Sequence, residues 1–154
     1  MPKIDIASIP IRVGSAFYPS PFRERAAGRA KQPLCNAAGL TQFGVNLTRL
    51  PPGNWSSERH WHTEEDEFIY VLAGEIVLIE EGGETLLRAG DCAAFPKNSG
   101  NGHHLINRGT QDALYLEVGS RIATDAAHFS DVDLDLPSKA VGFTRKNGTP
   151  YPKR

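Results

Sequence analysis

The middle of the chain is a series of short β-prone segments, each closed by residues that favour turns. Roughly seven or eight such segments lie between Leu40 and Val118, with little helical periodicity between them. Phe43, Val45 and Leu47, for example, alternate with polar neighbours, which is typical of a strand with one buried face. Short strands at this spacing predict an all-β fold, either an antiparallel sandwich or a barrel, because these architectures protect strand edges.

The length of the chain, 154 residues, fits a single domain with a sizeable core. We therefore expect one domain over residues 1–154, with the core of the barrel at about 40–118. This leaves an N-terminal arm at 1–39 and a C-terminal extension at 119–154.

The two flanking segments have weaker patterns. Phe22 to Lys31 could form a short helix, with Ser20 as N-cap and Pro21 as the first helical residue. In the extension, apolar residues alternate with aspartates, which indicates an extended segment that docks its apolar side. These apolar residues are Val132, Leu134 and Leu136.

Charge and hydropathy exclude several classes of partner. The net charge of −1 provides no basic field for nucleic acid, and no apolar run approaches the length of a membrane span. The first residues lack the apolar region of a signal peptide, so we expect a cytoplasmic protein. Cys35 and Cys92 are then expected to be reduced thiols, and the apolar surroundings of Cys92 predict a buried one.

The candidate chemistry is concentrated around two histidines, His60 and His62. They stand two residues apart in an extended segment, so their side chains point the same way, as does that of Glu58. A run of four acids follows, and His103 and His104 lie further along the chain. Because borderline transition ions accept imidazole and carboxylate together, the sequence predicts a metal site.

The turn after these histidines sets the direction of the next strand. Residues 63–66 are polar, and a hairpin there resets the register, so Glu67 can begin the return strand facing inward. The other three acids of the run are expected in an exposed turn. By the same register Ile69 and Val71 face inward, while the outer face carries Phe68, Tyr70 and Leu72.

Two spaced motifs resemble those of the cupin superfamily. The first consists of Gly53, six residues, His60-x-His62, four residues, Glu67, six residues and Gly74. The second consists of Gly90, five residues, Pro96, then His103, three residues and Asn107. The chain departs from the usual pattern by one extra residue before His60, by two extra residues before His103, and by Asn98 in place of a glycine.

The resemblance implies a cupin-type antiparallel β-barrel, or double-stranded β-helix (jelly roll), with irregular N- and C-terminal segments. It also implies one divalent transition metal held by His60, His62, Glu67 and His103. The longer second motif leaves His104 open as an alternative to His103, although the spacing to the end of the motif favours His103. Iron, manganese, nickel, zinc and copper all accept these ligands, so the identity of the metal stays open.

Such a ligand set leaves open positions on an octahedral ion. The resemblance therefore implies a metal-dependent enzyme acting on a small oxygenated metabolite, either a sugar or sugar-phosphate isomerase or a dioxygenase. Similar small bacterial cupins carry a sugar-phosphate isomerase label. Glu67 and Glu58 are the candidate catalytic carboxylates. The alternative function is that of a non-catalytic cupin that binds or senses a small molecule.

The expected partners are a small-molecule substrate or ligand and a second copy of the chain. A phosphorylated substrate would need a cationic anchor, for which the candidates are Arg49, Lys97, Arg108 and Arg121. The resemblance implies a homodimer, and the outward apolar residues of the 67–72 segment give it a physical reason. We expect no nucleic-acid or membrane partner.

Overall fold

The computed structural model describes residues 3–15 and 17–152, and strands dominate them. There is one short helix, α1 (Leu34–Ala37), and 3-10 turns lie at Ile6–Ser8 and Glu24–Ala26. The strands are β1 (Arg12–Val13), β2 (Ala30–Pro33), β3 (Phe43–Leu50), β4 (His60–His62), β5 (Glu67–Ala73), β6 (Glu75–Glu80), β7 (Gly83–Arg88), β8 (Cys92–Phe95), β9 (His104–Ile106), β10 (Ala113–Ser120), β11 (Ala127–Phe129) and β12 (Asp135–Leu136).

The strands form three antiparallel sheets. The largest has the order β1-β2-β3-β10-β5-β8, and the smaller ones have the orders β12-β11-β4 and β7-β6-β9. Side chains from the largest sheet and from β6, β7 and β9 meet in the main core, which includes Val71, Tyr115, Ile76 and Leu105. The structure thus confirms the expected all-β jelly-roll fold, with two sheets facing each other across the core.

The register predicted for β5 is confirmed. Ile69 and Val71 are buried, whereas the alternate residues Phe68, Tyr70 and Leu72 are exposed. β5 lies between β10 and β8, so its inward row continues across both neighbours. Because side chains alternate with a period of two, Glu67 shares the inward face with these buried residues.

Both flanking segments contribute strands to the sheets. In the N-terminal arm, β2 pairs with β3, and β1 extends the same sheet. In the C-terminal extension, β11 pairs with β4 through Ala127 opposite His62 and Phe129 opposite His60. The predicted docking of the extension is confirmed, since Leu134 is fully buried in a second core cluster against which Val132 and Leu136 pack.

Two local expectations were wrong. The segment from Phe22 to Lys31 is not a helix, because the chain makes only a 3-10 turn before β2 begins. Pairing with β3 and a close contact at Gly28, whose amide donates to Asn54 Oδ1 at 2.8 Å, override the local helical pattern. Cys92 is exposed rather than buried, since it lies opposite Tyr70 on the outer face of the sheet.

In the part of the chain that the structure describes, no helix has both the length and the apolar character needed to cross a membrane.

Candidate metal centre

Three pieces of chain bring four candidate ligands together. β4 carries His60 and His62, the first residue of β5 is Glu67, and His103 immediately precedes β9. An antiparallel bridge joins the backbones of His60 and His103, with N···O distances of 2.9 and 3.2 Å. Residues far apart in sequence are thus held side by side by the main chain.

The carboxylate of Glu67 lies at the centre of the group. Its oxygens are 2.9 Å from His103 Nε2, 3.6 Å from His62 Nε2 and 3.9 Å from His60 Nε2. One ligand atom each from His60, His62 and Glu67 fits within a mutual distance of 4.8 Å. These residues could therefore hold one ion between them.

Glu67 also shows why a cation suits this position. Its Oε2 is buried, and among the described residues it has no hydrogen-bond partner of good geometry, although His103 Nε2 lies 2.9 Å away. A buried carboxylate oxygen without a partner is costly. A divalent ion would satisfy it, so the residues present fit a metal.

The electrostatics of the cluster favour the forms that bind metals. Burial raises the pKa of Glu67, but the three neighbouring histidines outweigh burial and hold this pKa well below its usual range. Burial lowers the pKa of His60 to about 4, with the opposing charge of Glu67 only partly compensating. At neutral pH His60 is therefore the neutral imidazole that a metal requires.

Two of the candidate ligand histidines have acceptors for their second ring nitrogen. Nδ1 of His60 is 2.8 Å from the carbonyl oxygen of Glu58, and Nδ1 of His62 is 2.6 Å from Asp125 Oδ2. Both contacts turn Nε2 toward Glu67. The other oxygen of Asp125 accepts from the amides of Glu64 and Glu65. The sequence offered no signal for Asp125, an isolated aspartate in the extension.

The structure separates the two adjacent histidines. His103 faces the cluster, with its ring stacked on Phe95 at a centroid distance of 3.5 Å. His104 points away and stacks on Trp55 at 4.4 Å, and neither of its ring nitrogens has a partner among the described residues. The chain reversal at this point thus brings His103, and not His104, to the candidate ligands.

The loop before His103 accommodates the unusual residue of the second motif. Asn98, which stands where the family has glycine, has a φ of +56°. Asparagine is one of the few residues that tolerate this left-handed conformation. The backbone N–H of Asn98 donates to the carbonyl oxygen of His62 at 2.7 Å. The longer loop is therefore still hydrogen-bonded to β4.

The acids near the histidines have unequal surroundings. Glu64 and Asp66 are exposed as expected, but Glu65 is buried and accepts from Lys139 at 2.5 Å and from the amide of Ile122 at 2.8 Å. The expectation of an exposed Glu65 was therefore wrong. The reason lies in the extension, which folds back over the turn and supplies both donors.

Glu58 has a structural contact that the sequence did not suggest. Its carboxylate is buried and lies 3.1 Å from the guanidinium of Arg25. Burial raises the pKa of Glu58, and Arg25 partly opposes this shift. Among the described residues, those that line the cavity at the ligand cluster do not include Glu58. Glu58 contacts the ligand cluster through its main-chain carbonyl oxygen, which is a hydrogen-bond partner of His60 Nδ1.

A cavity of about 930 Å³ opens onto the cluster. His60, Glu67 and His103 line it together with several cationic side chains, which are Arg29, Lys31, Arg121 and Lys139. Of the anchors considered from the sequence, Arg121 lines the cavity, whereas Arg108 pairs with Glu84 and Arg49 lies near Asp112 at exposed positions. Arg29 and Lys31 were not among these candidate anchors, because the segment that carries them was expected to be a helix with a solvated face.

Comparison with known proteins agrees with this geometry. A sugar phosphate isomerase from a cupin superfamily, from Silicibacter pomeroyi DSS-3, has a crystal structure with a TM-score of 0.92 to this one. The two sequences are 46% identical, and the alignment covers 98% of this chain and 97% of the other. The similarity therefore includes both flanking segments as well as the sheets.

Two curated relatives match just under half of the chain. An oxalate-binding protein of Thermotoga maritima is 37% identical over 70 residues, and a probable oxalate decarboxylase of Arthroderma benhamiae is 36% identical over 78 residues. The matches span 55% and 19% of these relatives, so the chain covers less than two thirds of either one. Residues 46–119 match the Cupin domain family. Because the alignment with the Silicibacter protein covers 98% of this chain at 46% identity, the chain belongs to the cupin superfamily.

Proposed function

We propose that the chain is a metal-dependent enzyme that acts on a small oxygenated metabolite, and that isomerisation of a sugar or sugar phosphate is its reaction. The observation that carries this proposal is the position of His60, Glu67 and His103 on the wall of one cavity. Its volume, about 930 Å³, lies within the range of small-molecule sites. The sugar phosphate isomerase from Silicibacter supports the choice of reaction by similarity.

His60, His62, Glu67 and His103 would hold one divalent ion of iron, manganese, nickel, zinc or copper. When bound, such an ion supplies Lewis-acid polarisation of a substrate oxygen. Asp125 and the carbonyl of Glu58 orient two of the imidazoles. Of the two carboxylates considered as catalytic, Glu67 lines the cavity and Glu58 does not, so the proposal keeps only Glu67, in the role of a ligand to the ion.

Two other functions use the same site. A dioxygenase would bind a chelating substrate there, and a non-catalytic binder would hold a small ligand without turnover. The oxalate-binding protein of Thermotoga favours the binder, because it is 37% identical to this chain over 70 residues. The isomerase is preferred because the Silicibacter protein matches nearly the whole chain.

Metal analysis tests the site directly. We expect the purified parent to retain metal, and Glu67→Ala and His103→Ala to lose most of it. His128→Ala is the matched control, because His128 is partly exposed and bonds Asp135 away from the cluster. Unchanged metal content in both site variants would rule out the proposed ligand set.

Activity measurements then separate the three functions. Sugar phosphates, catechols and diketones would be offered to protein loaded with iron, manganese or nickel, and isomerisation and oxygen consumption would be followed together. Isomerisation without oxygen uptake supports the proposal, and oxygen uptake supports the dioxygenase. If ligand binds but no form of the protein turns over any compound, the binder replaces the enzyme.

We also propose that the protein is a homodimer that buries the outer face of the largest sheet. Phe68, Tyr70 and Leu72 on β5 are 38–42% exposed there, and the exposed Phe43 lies on β3 of the same sheet. Exposed apolar patches of this kind are typical of interfaces between protein subunits. A second copy of the same face would cover them symmetrically.

A further inference from the structure

Arg29 is a cationic side chain on the wall of the cavity. Its guanidinium donates to the carbonyl oxygens of Ser56 and, at 3.4 Å, Gly14. Its Nε is buried and has no hydrogen-bond partner among the described residues. Within the same described part of the chain, Arg29 forms no direct ion pair, and the carboxylate of Glu117 acts on it only at longer range.

Lys31 lies two residues further on, and in extended chain these two side chains point the same way. Its ammonium group is 2.6 Å from Glu117, which also accepts from Asn46 at 3.3 Å and from the hydroxyl of Tyr115 at 3.3 Å. Glu117 therefore balances the charge of Lys31. Among the described residues neither Arg29 nor Arg121 forms such an ion pair, and Arg121 instead donates to the carbonyl oxygen of Leu40 and to Asn36 Oδ1.

The cation lies close to the candidate metal ligands. Arg29 bonds the main chain of Ser56, and the hydroxyl of the next residue, Ser57, is 3.3 Å from Nδ1 of His60. Arg29, both serines and His60 line the same cavity. A small molecule bound at the histidines would thus have a guanidinium within reach.

We propose that Arg29, with Lys31 beside it, is an oxyanion-binding subsite for the substrate. This inference rests on the proposed function, because it concerns the same cavity, and it narrows the substrate class. The substrate carries a carboxylate or phosphate group in addition to the oxygens that face the metal ligands. Guanidinium suits this role because its planar donors match carboxylate and phosphate oxygens. A neutral sugar would leave Arg29 unpaired.

The free Nε–H of Arg29 provides a direct readout. Inorganic phosphate and oxalate would be titrated separately into metal-stripped protein, and the arginine Nε–H resonances followed by NMR. We expect the Arg29 resonance, assigned by its disappearance in Arg29→Lys, to shift in a saturable manner with at least one anion. Arg49, which is exposed on β3, provides the internal control. If the Arg29 resonance shifts with only one of the two anions, that anion identifies the group that the subsite binds.

Calorimetry on variants measures the contribution of the guanidinium. We expect Arg29→Gln to weaken anion binding at least tenfold, and Arg49→Gln, which removes the same charge, to leave it unchanged. Equal affinity in Arg29→Gln and the parent, or an Arg29 resonance that does not respond, would overturn the subsite. If Arg29→Gln does not fold, the response of the Arg29 Nε–H resonance in the parent protein is the test of the subsite.

The two proposals fail separately in this design. Normal metal content with no response of Arg29 to either anion would remove the subsite and leave the metal centre intact. A saturable response of Arg29, combined with purified parent protein that contains no metal before the stripping step, would support the subsite and contradict the metal-dependent function.

Discussion

Asp125 lies 2.6 Å from Nδ1 of His62, although the two residues are 63 positions apart in the chain. The aspartate comes from the C-terminal extension, which also provides the strand that pairs with β4. Its carboxylate accepts two backbone amides as well, so it is held in place independently of the histidine. The extension is thus part of the structure that orients the candidate ligands.

Asp125→Asn is expected to weaken metal binding by about 10- to 100-fold. The amide oxygen can still accept from the backbone, but the amide nitrogen cannot accept the proton of His62 Nδ1, so the orientation of the imidazole is lost. Competition with a chelator of known affinity measures the effect. Asp91→Asn is the control, because Asp91 caps a turn at Arg88 away from the site. Equal affinity in Asp125→Asn and the parent would show that the contact does not tune the metal.

His103 and His104 are expected to respond in opposite ways to substitution. His103→Ala should lose metal, whereas His104→Phe should keep it and preserve the stacking on Trp55. Because both ring nitrogens of His104 are buried without partners, removing them should change the free energy of unfolding by less than about 1 kcal/mol. Metal content and urea unfolding provide the two measurements. If His104→Phe loses metal and His103→Ala retains it, His104 and not His103 is the ligand.

The stability of the metal-free protein is expected to fall as the pH decreases from 6.5 to 4.5. Burial is the main cause that lowers the pKa of both His60 and His104 to about 4 in the folded state, whereas the unfolded state takes up these protons near pH 6.5. Unfolding is therefore favoured as the pH falls through this window, by about 1.4 kcal/mol per pH unit for each proton taken up.

Urea unfolding at several pH values tests this expectation. His104→Phe should remove one of the two titrations and reduce the slope by about half. A free energy of unfolding that stays constant between pH 6.5 and 4.5 in the parent would show that these histidines are not buried in their neutral form.

Two adjacent leucines on β7 provide a matched test of the core. Leu87 is buried in the main core, whereas Leu86, on the opposite face, is 40% exposed. Leu87→Ala is expected to cost about 2–5 kcal/mol, because it leaves a cavity. Leu86→Ala should cost less than about 1 kcal/mol. Equal losses in chemical unfolding would mean that the register of β7 is shifted by one residue.

Tyr70→Lys is expected to convert the proposed dimer into monomers, because it places a charge in the apolar face of β5. Sedimentation equilibrium of the parent and the variant measures the change. Val141→Lys, at an exposed position in the C-terminal extension, should leave the dimer intact. A monomeric parent, or a dimeric Tyr70→Lys, would remove the outer sheet face as the interface.

Local patterns were sufficient for most strands and for the direction of their side chains. Alternation in β3 and β5 and the turn residues between strands identified the sheet segments, because a half-buried strand imposes a period of two on its sequence. The candidate ligands His60, His62, Glu67 and His103 were identified through the resemblance of two spaced motifs to those of the cupin superfamily. The local pattern wrongly predicted a helix for the segment that ends at Lys31, because the pairing of β2 with β3 outweighed helical propensity.

By itself, then, the sequence determined the all-β class, the inward row of β5 and the set of candidate ligands. Only the tertiary structure decided which histidine of the His103–His104 pair faces the cluster, that Asp125 orients His62, and that Arg29 and Lys31 line the cavity. The reason is physical. These relationships depend on how distant strands pair and how the extension folds back, and no local periodicity encodes contacts between residues so far apart in the chain.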